Sequence, residues 1–449
     1  YRWYDIDNGF DAFSLDNTRQ TLSDEPGFDR QQTHAISANL LTRLDGGDLP
    51  FIVTHASHNI GYAYDEDWTY DGFHPWGYTS FDAYYRDVDT NTVELRFVSS
   101  DQWRLFNDTT SWVIGTRAKN NKEGLLRQYT YADGDFVSQY QPITQAVYGQ
   151  LESQLSNDLL LTFALRAENY DFSYGDNAGL NGEHDSTMLG GKLALSYQLG
   201  QQLVYASVSR GYKGAGINPD QNVSTDNRFY DEEYNWNYEI GMKGRLADQL
   251  TSRVAFFVMK REDTQVSDYE LQYRDDGSAE FIDIISNADL GTNQGVEVEL
   301  SWQATDHWNL SFSGGYLDAY FEDYTRADGT TVTEQQQAQA PEFTANLLSQ
   351  LDINESIRWN VEVDFADRYR FSDGHDVTAP SRTLVHTQLS WRMENWETQL
   401  WINNAFDETY YTRGFGGFSN DPRDFYEFDE PYYQLGNGRQ TGVTVRYQF

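Results

Sequence analysis

The sequence contains no cysteine, is poor in positive charge and has no long apolar run. Without cysteine it can form no disulfide, no thiolate metal site and no cysteine nucleophile. Only 32 Lys and Arg stand against 70 Asp and Glu, a net charge of -38. We therefore expect no nucleic-acid partner, because neutralising phosphates requires clustered cations. No apolar stretch approaches the roughly 18 residues of a membrane-crossing helix.

Much of the apolar area comes from aromatic rings. Trp, Tyr and Phe make up 16% of the 449 residues, and the mean hydropathy is -0.70. Aliphatic side chains are scarce for this length, so the composition does not predict a thick soluble core.

The recurrent pattern is an alternation of apolar and polar residues, which is the two-residue period of a β-strand. It is clear in VEVELSW (296–302), in IRWNVEVDF (357–365) and in the final GVTVRYQF (442–449). No helical period is sustained anywhere. The sequence predicts an all-β protein built from long strands with one apolar and one polar face.

The predicted connections alternate in length. Short polar turns are predicted within 155–161, 246–252, 304–310 and 393–399, and long linkers at 66–86, 217–234, 324–340 and 412–431. This pattern predicts about 18 strands. A sheet of that size avoids unpaired edge strands by closing into a barrel. An apolar face outward and a polar face inward predict a bacterial outer-membrane, up-and-down antiparallel barrel. The alternative, a soluble propeller or sandwich, does not explain why the loops segregate by length.

Five segments, in order along the chain, resemble TonB-dependent outer-membrane receptors. They are VYASVSRGYKGAGINPD (204–220), NYEIGMKGRLADQLTSRVAFFVMKRED (237–263), GTNQGVEVELSWQ (291–303), APEFTANLLSQ (340–350) and INNAFDETYYTRGF (402–415). The chain departs from the family pattern at Ala215, where Gly is common, and at Ala405, where Leu is usual. The C-terminal Phe449, with Tyr447 two residues before it, resembles the signal by which outer-membrane proteins are recognised for assembly.

The resemblance implies a fold. Such receptors are 22-stranded barrels, with short periplasmic turns and long extracellular loops, closed by an N-terminal plug that carries the TonB box. Residues 1–17 are similar to a strand well inside the barrel. We therefore expect residues 1–449 to form one barrel domain that lacks the plug and roughly the first four strands.

The resemblance also implies a function. We expect active uptake of a scarce, large extracellular ligand, most often a ferric siderophore in this family, through TonB acting on the missing plug. Glycan, haem or cobalamin uptake, and a passive porin-like channel, are the alternatives. Other expected partners are outer-membrane lipid and lipopolysaccharide, and no cofactor is expected.

Catalysis is the hypothesis from another class, and the sequence gives it no support. Neither GxSxG nor HExxH is present. His55 and His58 lie three residues apart on a predicted strand, so they face opposite ways and make a poor metal pair. His386 is expected on the lumen face, solvated or hydrogen-bonded.

Ligand-binding residues are expected on the long loops, above all in residues 62–87, where aromatic rings lie among acids. Aromatic rings among acids can stack on a sugar, a catecholate ring or a haem, or the acids can hold Ca²⁺. The competing interpretation is that the rings form the interfacial girdle and pack the loop onto itself. The candidates are Trp68, Tyr70, His74, Trp76, Arg210, Tyr212, Lys213, Arg413, Phe415 and Phe418, with Asp65 and Asp67 as candidate Ca²⁺ ligands.

Overall fold

The chain folds almost entirely into antiparallel β-strands in a computed structural model, which describes residues 1–11, 13–220, 222–273, 279–326 and 329–449. The side chains of seven further residues lie outside this description: Trp76, Asp226, Leu271, Tyr273, Ala279, Glu280 and Phe281.

The strands are, in the first half of the chain, β1 (Arg2–Gly9), β2 (Phe28–Leu44), β3 (Gly47–Asp65), β4 (Phe81–Ser99), β5 (Thr110–Tyr129), β6 (Phe136–Ser156), β7 (Leu159–Asp176), β8 (Asn181–Leu199), β9 (Gln202–Lys213), β10 (Gly216–Ile217), β11 (Phe229–Tyr230) and β12 (Glu233–Ala247). They continue as β13 (Leu250–Tyr273), β14 (Ala279–Thr305), β15 (Trp308–Thr325), β16 (Thr331–Gln336), β17 (Phe343–Asn354), β18 (Ile357–Ala366), β19 (Tyr369–Arg370), β20 (Thr378–Ala379), β21 (Arg382–Met393), β22 (Trp396–Asn403), β23 (Tyr411–Gly414), β24 (Tyr433–Leu435) and β25 (Gln440–Tyr447). Short 3-10 turns occur at Pro75–Gly77, Asp101–Trp103, Thr225–Asn227 and Pro422–Asp424, and one further turn at Leu105–Asp108. In the described part of the chain, no helix is long and apolar enough to cross a membrane.

One sheet of 19 strands contains all the long strands, each paired antiparallel with its neighbour along the chain. β16 and β17 pair with the outer and inner parts of β15, so they share one position and the sheet has 18 positions, as predicted. The sheet is not closed. Among the described residues, β1 pairs only with β2 and β25 only with β22, so these two strands are the edges.

The two ends of the sheet differ as predicted. At one end, seven hairpins turn through two residues, including the predicted turns at 157–158, 248–249, 306–307 and 394–395. At the other end lie the long loops 10–27, 66–80, 214–232, 367–381 and 404–439. Some predicted bounds were wrong. Residues 62–65 and 81–87 of the predicted aromatic loop belong to β3 and β4, which remain paired as far as Asp65 and Phe81. The predicted first strand over 1–17 ends at Gly9, whose φ of 84° leaves the extended region.

Apolar side chains form continuous rows across one face of the sheet. Leu195, Ala206, Ile240 and Phe256 are direct cross-strand neighbours, and Ile240 and Phe256 are exposed. The other face is polar; there the Tyr205 hydroxyl donates to Glu239 at 2.6 Å. A soluble protein would bury its apolar rows, whereas this sheet exposes them. This arrangement suits a sheet whose outer face contacts lipid.

Exposed tryptophans stand beside the two-residue turns. Trp302 and Trp308 flank the turn at 306–307, and Trp391 and Trp396 flank the turn at 394–395. Trp396 contacts Tyr447, with ring centroids 4.7 Å apart. They mark the aromatic girdle of one membrane interface.

The hairpin formed by β13 and β14 extends beyond its neighbours. Its residues 264–273 and 279–288 pair only with each other. They lie beyond Glu262, the last residue of β13 that pairs with β12, and Gly291, the first residue of β14 that pairs with β15. One face of this extension is nonetheless covered. Ile282 and Ile284 pack on Val223 of the 214–232 loop, and Val266 packs on Phe321 of β15.

Candidate functional site

The predicted aromatic loop packs into a cluster with two other loops. Trp68 is 6% exposed, and its ring lies 5.1 Å from those of Phe13 and Tyr432 and 5.9 Å from that of Phe415. Phe418 adds an edge-to-face contact with Trp68 at 5.7 Å. Trp68 is buried because loops 10–27, 66–80 and 404–439 meet around it, so it packs against rings of other loops and not only within its own. Its role in ligand binding stays a prediction.

His74 is buried beside this cluster. It is 2% exposed, shares a hydrogen bond of 2.9 Å with the Tyr426 hydroxyl, and contacts the Asp67 carbonyl oxygen at 3.4 Å. Burial lowers the pKa of His74 below its ordinary value. Tyr70 is 49% exposed, packs edge-to-face on Phe73 and remains accessible. The side chain of Trp76 lies outside the described residues.

Asp65 and Asp67 use their carboxylates to shape the loop. Asp65 accepts from the backbone N–H groups of Asp67 and Trp68, and Asp67 accepts from those of Thr69 and Ser80. Among the residues that the structure describes, no group of three or more His, Asp or Glu side chains could hold a metal ion. The structure therefore gives the predicted Ca²⁺ site no support.

The candidates near residue 210 lie on the wall of the sheet. The Arg210 guanidinium stacks 3.9 Å from the Tyr234 ring centroid on the neighbouring strand. The Tyr212 hydroxyl accepts from Arg166 at 3.0 Å, and Lys213 is exposed at the end of β9. The structure does not bring these three residues together with the aromatic cluster.

A cluster around Arg127 was missed in the sequence. Arg127 of β5 donates from Nη2 and Nε to the carboxylate of Asp82, at 2.9 and 3.1 Å, and from Nη1 to Asp220, at 2.8 Å. Its guanidinium also lies over the rings of Tyr84, at 5.3 Å, and Tyr129, at 4.9 Å. The Tyr84 hydroxyl donates to Asp82 at 2.7 Å. No motif identifies these residues; only the register between β4 and β5, together with the path of the 214–232 loop, brings them together.

A second arginine, Arg413, lies on the 404–439 loop, at the end of the sheet that carries the long loops, which we call the mouth. It forms an ion pair with Asp11, which also accepts from the Tyr62 hydroxyl at 2.9 Å. Its guanidinium lies 5.3 Å from the Phe13 ring centroid. The extended hairpin carries Asp283 toward both arginines. Partial exclusion of water raises the pKa of Asp283, and the positive charges of Arg413 and Arg127 oppose that rise.

Polar contacts fix the hairpin over this space. The side-chain amide of Asn218 donates to the Ile285 carbonyl oxygen at 2.8 Å, and the Ile285 N–H donates back to Asn218 Oδ1 at 2.8 Å. On its other side, Tyr324 donates to Asp268 at 2.6 Å. The mouth therefore combines two arginines, several tyrosines and the extended hairpin.

Comparison with known families identifies the chain. Residues 1–405 match the family model described as TonB dependent receptor-like, beta-barrel. The chain belongs to this family. The receptors of this family sit in the outer membrane of Gram-negative bacteria, so the exposed apolar rows face lipid, the two-residue turns face the periplasm and the long loops face the outside.

The curated relatives of this receptor chain are distant and longer. The pesticin receptor of Yersinia pestis is 21% identical over 360 residues, which are 76% of this chain and 49% of the relative. PiuA of Acinetobacter baumannii, a probable TonB-dependent siderophore receptor, is 22% identical over 228 residues, 47% of this chain and 29% of that protein. The chain spans about half the length, or less, of the curated relatives it matches.

Solved structures show the same fold. The ferric yersiniabactin uptake receptor FyuA from Yersinia pestis superposes with a TM-score of 0.74 at 18% identity, over 94% of this chain and 62% of that chain. The siderophore receptor PiuA from Acinetobacter baumannii gives 0.73 at 16% identity, over 94% and 65%. The family and the fold are those of transporters and receptors, not of enzymes.

Two further predictions concern individual residues of the receptor. His55 and His58 contact different partners, Asn91 and Thr33, in keeping with the prediction that they do not pair. His386 contacts Asn403 at 3.4 Å, so the prediction of a solvated or hydrogen-bonded histidine is confirmed. The assembly role of Tyr447 and Phe449 stays a prediction.

Proposed function

We propose that the chain is the barrel part of a receptor that binds a ferric siderophore at its outer face and imports it to the periplasm with energy supplied through TonB. The observation that supports this best is the mouth, where Arg127 of β5 and Arg413 of the 404–439 loop both act on Asp283 of the extended hairpin. Guanidinium groups bind anionic oxygens, such as those that chelate iron in siderophores, through charge-assisted hydrogen bonds.

Acidic side chains already pair with both arginines of the mouth. Arg127 is paired with Asp82 and Asp220, and Arg413 with Asp11. An anionic chelate must therefore displace Asp220 or Asp11 from a guanidinium, which favours ligands that offer several oxygens at once. The net charge of -38 does not forbid such a ligand, since salt screens distant charges beyond about 8 Å.

The rings of the mouth suit the same class of ligand. Tyr62, Tyr84 and Tyr129 surround the two arginines, and aromatic faces can stack on catecholate or phenolate groups. A passive porin-like channel with the same wall is the alternative that the requirement for TonB tests. Haem, cobalamin and glycans remain outcomes of the test.

Direct titration tests the proposal. The full-length receptor should bind at least one ferric siderophore from a panel that also contains haem, cobalamin and oligosaccharides, and Arg413→Gln should weaken binding by about tenfold, which corresponds to about 1.4 kcal/mol. Arg368→Gln, outside the arginine pair, is the matched control. Uptake of the bound compound should require TonB. Binding only of a glycan, or uptake unaffected by loss of TonB, would overturn the proposal.

A further inference from the structure

The connection between β4 and β5 differs from every other short turn of the described sheet at its periplasmic end. Seven hairpins there turn through two residues, whereas this connection runs over ten, residues 100–109. Ordering eight additional residues costs conformational entropy, which contacts must offset.

The segment exposes large apolar side chains. Trp103 is 55% exposed, Leu105 42% and Phe106 70%. Phe106, Asn107 and Asp108 have φ angles of 53°, 57° and 65°, the left-handed region that non-glycine residues seldom adopt. This backbone projects the Phe106 side chain away from the protein instead of packing it inward.

Ring contacts show the direction in which the segment folds. The Trp103 ring lies 6.0 Å from that of Phe97, which in turn stacks on Trp112 at 5.2 Å. The Trp112 indole N–H donates to the Trp103 carbonyl oxygen at 2.9 Å. Phe97 pairs across the sheet with Ile114, an exposed member of the outward apolar row. The segment therefore folds onto the lipid-facing surface and not beneath the lumen.

The segment also lies at the level of the membrane interface. The exposed tryptophans beside the other turns, Trp302, Trp308, Trp391 and Trp396, mark this level around the sheet. Trp103 packs over Gly46, in the neighbouring two-residue turn, so it stands at the same height. The apolar side chains of this segment are thus continuous with the lipid-facing surface of the sheet.

We propose that residues 101–108 form a phospholipid-binding anchor, in which Trp103, Leu105 and Phe106 insert among the headgroups and upper acyl chains of the inner leaflet. Of its three charged groups, Arg104 and Asp101 pair at 2.7 Å, and Asp108 leaves the segment with a net charge of -1. Insertion is therefore driven by apolar burial and needs no anionic headgroup. The anchor is independent of the transported ligand.

These 449 residues contain no cysteine, so a single label can be placed once any cysteine elsewhere in the full-length receptor is replaced by serine. Phe106→Cys in the full-length receptor is labelled with an environment-sensitive fluorophore and reconstituted in phosphatidylcholine liposomes that contain lipid spin-labelled near the headgroup. Leu165→Cys, on the outward apolar row, is the lipid-facing reference, and Asp158→Cys, in a two-residue turn, is the water-facing reference. We expect spin-labelled lipid to quench the label at residue 106 at least threefold more than that at residue 158, with correspondingly less quenching by aqueous iodide.

Three results would overturn the proposal. The label at residue 106 could behave like that at residue 158, could be quenched by lipid only when anionic lipid is added, or could become protected only on adding a periplasmic protein fraction, which would indicate a protein partner. Folding of each variant is checked by its heat-modifiable mobility on gels. Leu105→Cys replaces Phe106→Cys if that variant does not assemble.

Discussion

Arg127 and Asp220 are joined at 2.8 Å, although β5, which carries Arg127, lies four sheet positions from β9, after which the Asp220 loop begins. Neighbouring strands are about 4.8 Å apart, so the loop must lean inward over the lumen to make this contact. The ion pair ties the 214–232 loop, and through Asn218 the extended hairpin, to a part of the rim four strands away.

Asp220→Asn should loosen that tie without unfolding the barrel. The side chains of both residues are about one fifth exposed. Because water still reaches the ion pair and screens it, the pair contributes at most about 1 kcal/mol to stability. Hydrogen exchange should accelerate in residues 214–228 and remain unchanged in the wall strands.

Arg127→Gln is the contrasting variant. It leaves the carboxylate of Asp82, which is 1% exposed, without its cation, and should lower the free energy of unfolding by about 3 kcal/mol. Equal losses of stability in Asp220→Asn and Arg127→Gln would contradict this division of roles.

The wall prediction follows from alternation alone. Val361 lies on the outward row between Trp359 and Phe365, whereas Glu362 faces the lumen and accepts from Asn346 at 2.8 Å. Val361→Arg should impair assembly, since an arginine on the lipid face near the midplane costs about 2–4 kcal/mol. Glu362→Arg should be tolerated, as judged by heat-modifiable mobility and surface level. Equal damage at both positions would argue against the lipid-facing assignment.

The wall was predictable because its signal is local. Alternation in residues such as Val443 and Val445 depends only on which face meets lipid, and two-residue turns have polar signatures in sequence. The mouth was not predictable in the same way. Arg127 and Asp220 are 93 residues apart, and Trp68 meets Phe13 and Tyr432 from two other loops. An aromatic residue among acids looks the same in sequence whether its ring is exposed or packed by distant segments.

Acid should loosen the 66–80 loop through His74. Burial lowers the pKa of His74, so the folded loop takes up its proton at a lower pH than the unfolded loop does. The contribution of neutral His74 is complete above the unfolded pKa of about 6.5 and is lost as the pH falls below it. Hydrogen exchange in residues 66–80 should therefore rise more between pH 7.5 and 5.5 in the parent than in His74→Gln, which shares every other titrating group. An identical rise in the two proteins would exclude His74 as the cause.

Variants at Trp68 and Tyr70 distinguish rings that pack the loops together from rings that could contact the ligand. Trp68→Ala removes the ring at the centre of the three-loop cluster and should cost about 3–5 kcal/mol of local stability. Limited proteolysis should then cut loops 10–27, 66–80 and 404–439 faster, while the barrel stays heat-stable, because the wall does not depend on this ring.

Tyr70→Ala removes an accessible ring and should leave proteolysis unchanged. If the loop contributes to binding, titration of folded Tyr70→Ala should show a weaker affinity than the parent. An unchanged affinity in Tyr70→Ala would remove that ring from the site, and slow proteolysis of Trp68→Ala would contradict the cluster as the element that holds the loops together.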